Sequence, residues 1–281
     1  MSTAFVLAGG GSFGAVQVGM LRELVANGVT PDLVVGSSAG AINGAYFAGS
    51  PHAEGVDRLE RIWLGLRRRE VFPVTLRSLA EFLLQRRPML DPAGLRDLLA
   101  KHLPFERLED AAVPLHVVAT DLLHGGTVKL SQGPAIDAIL ASCAIPAAFP
   151  PVKIDERYLV DGAVASNTPV GVAVELGARR IIVLPTGYAC ALERPPRGAI
   201  ATALQAITLL TAHQLVTQIE LFRDQVQIIT VPPLCPLTVS PYDFSRAAEL
   251  IGRAAEQTRR WLQADGMNKE RIPGALRPHV D

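Results

Sequence analysis

Leu33-Val34-Val35-Gly36-Ser37-Ser38-Ala39-Gly40-Ala41-Ile42-Asn43-Gly44-Ala45 carries the chain from an apolar run, through a turn of small residues, into a segment suited to a helix. Within it, Gly36 to Gly40 reads G-x-S-x-G between strand and helix, the setting of a nucleophile elbow. Glycines flank the serine because so tight a turn leaves no room for side chains. The turn is expected to strain Ser38 and to project its Oγ from the end of the strand. N–H groups at the start of the following helix then point at whatever that oxygen attacks. A plain structural turn fits the pentapeptide taken alone, since glycine and serine are common turn residues.

Outward from this stretch, short apolar runs alternate with helical patterns. Ala4 to Ala8 reads as a buried strand, and Ala15 to Ala26 as a helix with Val18, Leu21 and Val25 on one face and Asn27-Gly28 as its stop. Asp32 to Val35, Leu115 to Thr120, Ile181 to Leu184 and Val226 to Val231 are further strands, bounded by Pro, Gly or charge. A last amphipathic helix starts near Asp243 or Ser245 and uses Leu250, Ile251, Ala254, Ala255, Trp261 and Leu262 before Gly266. Buried strands alternating with helices predict a three-layer α/β/α fold with a mainly parallel central sheet. With no internal repeat and no low-complexity linker, residues 1–281 read as one domain, with a helical insertion at about 58–101.

Composition narrows the function classes. Hydrophobic residues make up 49% of the 281, and 27 basic side chains balance 27 acidic ones. Nothing in that balance provides the positive surface that nucleic acid requires. Cys143, Cys190 and Cys235 are widely spaced and suggest neither a disulfide framework nor a metal site, so a reducing, cytoplasmic setting is expected. Ala4 to Ala8 is too short for the apolar region of a signal peptide. Ala199 to Ile219 contains Gln205, His213, Gln214 and Gln218, so it reads as a buried helix rather than a membrane span. Arg67-Arg68-Arg69 and Arg86-Arg87, with Phe82, Leu83 and Leu84, mix cations with apolar side chains. That mixture suits a lid or a peripheral contact with an anionic membrane, and a solvated helical surface equally.

Gly9-Gly10-Gly11-Ser12-Phe13-Gly14 lies directly between the first strand and the first helix. As G-x-G-x-x-G it could bind a dinucleotide, which requires an acidic residue at the C-terminal end of the second strand. Asp32 lies at the start of that strand instead, and no Lys-Ser or Lys-Thr follows for a nucleoside triphosphate. An anion hole built from the N–H groups of Gly10, Gly11 and Ser12 fits better, at the same end of a parallel sheet as Ser38. A serine needs a base, usually histidine. His52, His102, His116, His124, His213 and His279 all lack a suitable loop after a late strand. Asp161, in Tyr158-Leu159-Val160-Asp161-Gly162-Ala163, closes a short strand and is the better candidate, though an ordinary strand-to-turn aspartate fits there too.

Together these pieces resemble the patatin-like phospholipases, which order a glycine-rich oxyanion loop, G-x-S-x-G and a later Asp-Gly-Gly or Asp-Gly-Ala. Here they appear as Gly9 to Gly14, Gly36 to Gly40 and Asp161-Gly162-Ala163. Ala141 to Val152, Ala119-Thr120-Asp121-Leu122 and Asn167-Thr168-Pro169 are also similar, so the resemblance runs from about Phe5 to Leu184. It implies a serine hydrolase of lipid carboxylic esters, with Ser38 as nucleophile, Asp161 as proton acceptor, and an oxyanion hole at Gly10, Gly11, Ser12 and Ala39. It implies no metal or cofactor, and a lipid or fatty-acyl ester as substrate. One departure stands out: the family commonly has Arg or Lys before the last loop glycine, and this chain has Phe13. A non-catalytic regulatory protein that keeps the fold is the alternative which that departure raises.

Overall fold

The computed structural model describes residues 2–71, 90–187, 195, 198–235, 237, 240–268 and 272–276. In chain order the elements are β1 (Thr3–Leu7), α1 (Gly14–Ala26), β2 (Leu33–Ser37), α2 (Ala39–Gly49), α3 (Ala53–Gly65), α4 (Arg68–Val71) and α5 (Ala93–His102). They continue with β3 (Leu115–Asp121), β4 (Thr127–Leu130), α6 (Ala135–Ser142), β5 (Val152–Ile154), β6 (Arg157–Asp161), α7 (Ala163–Ser166), α8 (Val170–Glu175) and β7 (Arg180–Leu184). The last are α9 (Ala199–Phe222), β8 (Gln227–Thr230) and α10 (Ala247–Gln263).

The strands form one sheet in the order β5-β6-β3-β2-β1-β7-β8, with β4 also paired to β3. From β3 to β8 every neighbour is parallel; β4, β5 and β6 join antiparallel at the other side. The core strands are buried on both faces because their side chains alternate between two clusters. In β1, Phe5 and Leu7 enter the cluster under α1, α2 and α3, while Ala4 and Val6 enter the one containing α8 and the C-terminal half of α9. This is why the sequence shows continuous apolar runs there rather than alternation.

Helix α1 is buried nearly all round because α10 covers its outer side. Gly19 sits against the backbone of Ile251 and Ala255, where a Cβ would collide. Glu23, buried near the end of α1, accepts from Arg259 of α10 at 2.8 Å. Gly28 has φ 71°, the left-handed stop expected after Asn27.

Two expectations need correction. The stretch Ala199 to Ile219 is helical but not buried. Among its described side chains Leu215 and Ile219 are buried in the core and Ala212 and Val216 pack against it, whereas Ile207, Leu209 and Leu210 are 53%, 60% and 65% exposed. The helix is held by its C-terminal half, where Gln218 Oε1 accepts from Gly171 N at 3.0 Å, and its N-terminal half lies over the rim of a cavity. The cysteines are also not all reduced. Cys143 is a free, buried thiol, but Cys235 is disulfide-bonded, a state that an oxidising environment favours. Arg67, Arg68 and Arg69 are exposed around α4. Phe82, Leu83, Leu84, Arg86, Arg87, Cys190 and His279 lie outside the described residues.

Candidate active site

Parallel strands deliver β1, β2 and β7 to the same end of the sheet, and their C-terminal loops meet there. At the end of β2, Ser38 has φ 53° and ψ −124°, a conformation that costs a non-glycine residue energy and persists only where its surroundings enforce it. The enforcement is steric. Gly36 faces the backbone of Gly40 and Ala41, and Gly40 faces the carbonyls of Leu7 and Ala8, with no space for a Cβ at either. The G-x-S-x-G spacing is thus a packing requirement of the junction between β1, β2 and α2. Ser38 N donates to Ser142 Oγ at 2.8 Å, and Ser142 Oγ donates to Val118 O at 2.6 Å, which ties the elbow to α6 and β3.

Ser38 Oγ donates to Asp161 Oδ2 at 2.7 Å, in a setting where both residues are buried. Asp161 ends β6, beside β3. Its other oxygen, Oδ1, accepts from Ala163 N at 2.8 Å, and its carbonyl accepts from Thr120 Oγ1 at 2.9 Å. Burial pushes the Asp161 carboxyl up to about 6, against the opposing pull of hydrogen bonds from Ser38 and Ala163. Gly162 follows because a Cβ there would collide with Val118 O and Ser37 Oγ.

The glycine-rich loop crosses above. Gly9 N donates to Asn167 O at 3.0 Å, and Thr186 Oγ1 donates to Gly9 O at 2.8 Å. Behind the loop, Gln17 Nε2 donates to the carbonyls of Ala8 and Leu184, both at 2.9 Å. Asn43 Nδ2 donates to Gly14 O at 2.9 Å and Gln17 Oε1 at 2.8 Å, and Trp63 Nε1 donates to Asn43 Oδ1 at 2.8 Å. This buried network fixes the loop to α1, α2 and α3. The N–H groups of Gly10, Gly11 and Ala39 have no acceptor among the described residues. Ser12 was expected with them and is excluded: its N–H goes to Pro241 O at 2.8 Å and its hydroxyl to Ser240 O at 3.2 Å.

Two cavities open beside Ser38. One, of about 60 Å³, is almost wholly apolar and follows one face of α2, through Ala39, Ile42 and Tyr46, towards Leu59, Trp63 and Leu98. The other, of about 380 Å³, contains Gly10, Gly11, Phe13, Ser38, Asp161, Asn167 and Tyr242, with Ile207 and Leu210 of α9 at its rim. Phe13 is 3% exposed and belongs to the main core cluster while bordering this cavity. Neither cavity is lined by a histidine among the described residues. His213 is exposed on α9. Asp32 accepts from Thr3 N at 2.7 Å at the opposite end of the sheet, away from the glycine loop. Ser142, Thr120, Gln17 and Asn43 are the supporting residues that sequence reasoning did not assign.

The model of the patatin-like phospholipase family matches residues 5–174. Patatin-like phospholipase domain-containing protein 7 of Mus musculus is 28% identical over 197 residues, covering 66% of this chain and 13% of that protein. An uncharacterized NTE family protein of Mycobacterium tuberculosis is 31% identical over 169 residues, covering 59% of this chain and 44% of that protein. The chain therefore spans only a small part of the mammalian relative's length. Among solved structures, VipD from Legionella pneumophila has the same fold, with a TM-score of 0.50 at 16% identity, covering 94% of this chain and 67% of that one.

Proposed function

This chain belongs to the patatin-like phospholipase family, and on that premise we propose that it hydrolyses carboxylic ester bonds of lipids through a Ser38–Asp161 dyad. The observation that carries the reading is the 2.7 Å hydrogen bond from a backbone-strained, buried Ser38 to a carboxylate raised to about 6. A carboxylate of ordinary pKa, about 3.9, would be too weak a base for a serine hydroxyl. Burial strengthens this one and still leaves it mostly ionised at neutral pH.

In the first step Ser38 Oγ attacks the ester carbonyl carbon as its proton passes to Asp161 Oδ2. The resulting oxyanion lies against the N–H groups of Gly10, Gly11 and Ala39, which are held by the packing of the loop and of α2 and need no rearrangement to meet it. Collapse of the tetrahedral species breaks the bond to the alcohol, which leaves with the proton from Asp161, and an acyl-enzyme remains. Water then gives a proton to Asp161 as its oxygen attacks the acyl carbon. Release of the fatty acid returns the proton to Ser38. We assign the acyl chain to the narrow apolar cavity along α2 and the leaving group to the wider one. What supports that division is that the narrow cavity is the more nearly apolar of the two.

The test is a panel of phospholipids and simple fatty-acyl esters assayed with wild type, Ser38→Ala, Asp161→Asn and the double variant. The dyad predicts that either single change abolishes nearly all turnover and that the double change costs little more. Additive losses would mean that Asp161 only holds the turn.

A further inference from the structure

Helix α9 leaves an uncharged surface in water that the chemistry at Ser38 does not explain. Its 24 residues contain no Lys or Arg and a single carboxylate, Glu220, near the C-terminal end. Leu209 and Leu210 are exposed, as are Ala203 and Ala206 on the same outward side. Apolar side chains of this size scattered singly over a surface need no explanation, but several together on one uncharged helix do. No helix among the described residues is long and apolar enough to cross a membrane.

Where this face lies narrows what covers it. Ile207 and Leu210 are more than half exposed and also line the cavity that contains Ser38 and Asp161. Val164 of α7 combines the same two properties, at 53% exposure. The apolar face is therefore continuous with the rim of the cavity through which an ester must enter. A folded protein seated on it would cover that entrance. The surface of a lipid bilayer seated on it would instead bring acyl esters to the cavity. We propose that the N-terminal half of α9, with Val164, is the surface on which the protein rests on a lipid bilayer, lying in the plane of the interface. The inference rests on the lipid-ester reading given above. It moves membrane contact from the cationic 58–101 segment to an uncharged helix, so attachment is driven by apolar burial and not by anionic headgroups.

The experiment uses the whole chain carrying Ser38→Ala, so that binding is read without turnover, and phosphatidylcholine vesicles with and without phosphatidylserine. The expected result is co-sedimentation with pure phosphatidylcholine that changes little when salt is raised. Ala206→Glu together with Leu209→Glu places two carboxylates on the outward side, at positions that do not line the cavity. These changes should weaken partitioning at least tenfold, while the same changes in the active chain leave hydrolysis of a water-soluble butyrate ester at its starting rate. Leu209→Trp should bind at least as well as its parent and shift its fluorescence to the blue on vesicles. The proposal is overturned if the parent ignores phosphatidylcholine or if the double change leaves partitioning intact. It is overturned equally if sedimentation shows a dimer that the double change dissociates, since α9 would then face a second copy. Loss of the ester reading itself would appear separately, as absence of butyrate hydrolysis in the active chain.

Discussion

Protonating Asp161 should switch the protein off at a pH set by its burial. With the carboxyl at about 6, roughly half the molecules hold the base form at pH 6. At about pH 5 that falls to roughly one in eleven, about a tenfold loss of kcat/KM relative to its value near pH 7, whereas an aspartate of ordinary pKa would stay mostly ionised. The assay is hydrolysis of a soluble short-chain ester between about pH 4.5 and pH 8 at constant ionic strength, followed at a wavelength where product absorbance does not depend on pH. The same burial sets a stability cost of opposite sense. A folded pKa raised above the unfolded one favours the protonated form on folding. Its contribution is fully present below the unfolded pKa of 3.8 and is lost as pH rises through about 6. At 1.36 kcal/mol per unit the ionised carboxylate costs at most about 3 kcal/mol above that window. Asp161→Asn should therefore melt several degrees higher than wild type near pH 8 and nearly together with it near pH 4. A kcat/KM that stays flat down to about pH 4.5 would refute the reasoning, as would an Asn variant less stable than wild type near pH 8.

Other expectations follow from single contacts. Ser142→Ala removes the acceptor of Ser38 N and leaves that buried N–H unpaired, so kcat should fall about ten- to a hundredfold with KM little changed and stability lower by about 1–3 kcal/mol on chemical denaturation. Phe13→Arg, which restores the cation common in the family, places a charge at a position that is 3% exposed. It should lower the denaturation midpoint clearly, and any folded enzyme should shift its kcat/KM ranking towards anionic phospholipids. Ile42→Trp, on the α2 face of the narrow cavity, should lower kcat/KM for long acyl chains at least tenfold while sparing an acetyl ester. In unfolded protein, an alkylating reagent should label Cys143 without reductant and Cys235 only after reduction.

The parallel core was legible because Ala4 to Ala8, Leu33 to Val35 and Ile181 to Leu184 are apolar on both faces, a pattern that a covered sheet requires. The elbow was legible because steric exclusion at Gly36 and Gly40 admits almost no other residue. The antiparallel edge was less so: β4 and β5 are three or four residues long, half-exposed, and gain their order by pairing with β3 and β6. Ser12 shows why local reading of a loop fails. Its N–H is claimed by Pro241, far along the chain, and no spacing rule contains that contact. Ser142 lies in a run of small residues with no chemical pattern, and only the fold aims its hydroxyl at Ser38 N. Helix α9 was misread because low charge suggests burial, whereas its N-terminal half is exposed beside the cavity. The disulfide at Cys235 was not legible in three cysteines at wide spacing.

The pairing of Ser38 with Asp161 is tested most directly by the rate of covalent labelling with a fluorophosphonate, read by intact mass and mapped by peptide sequencing. The account predicts one adduct, on Ser38, absent in Ser38→Ala, at least a thousandfold slower in Asp161→Asn, and unchanged in a folded His213→Ala protein. Labelling that persists in Asp161→Asn but disappears in folded His213→Ala would contradict it and assign the base to histidine.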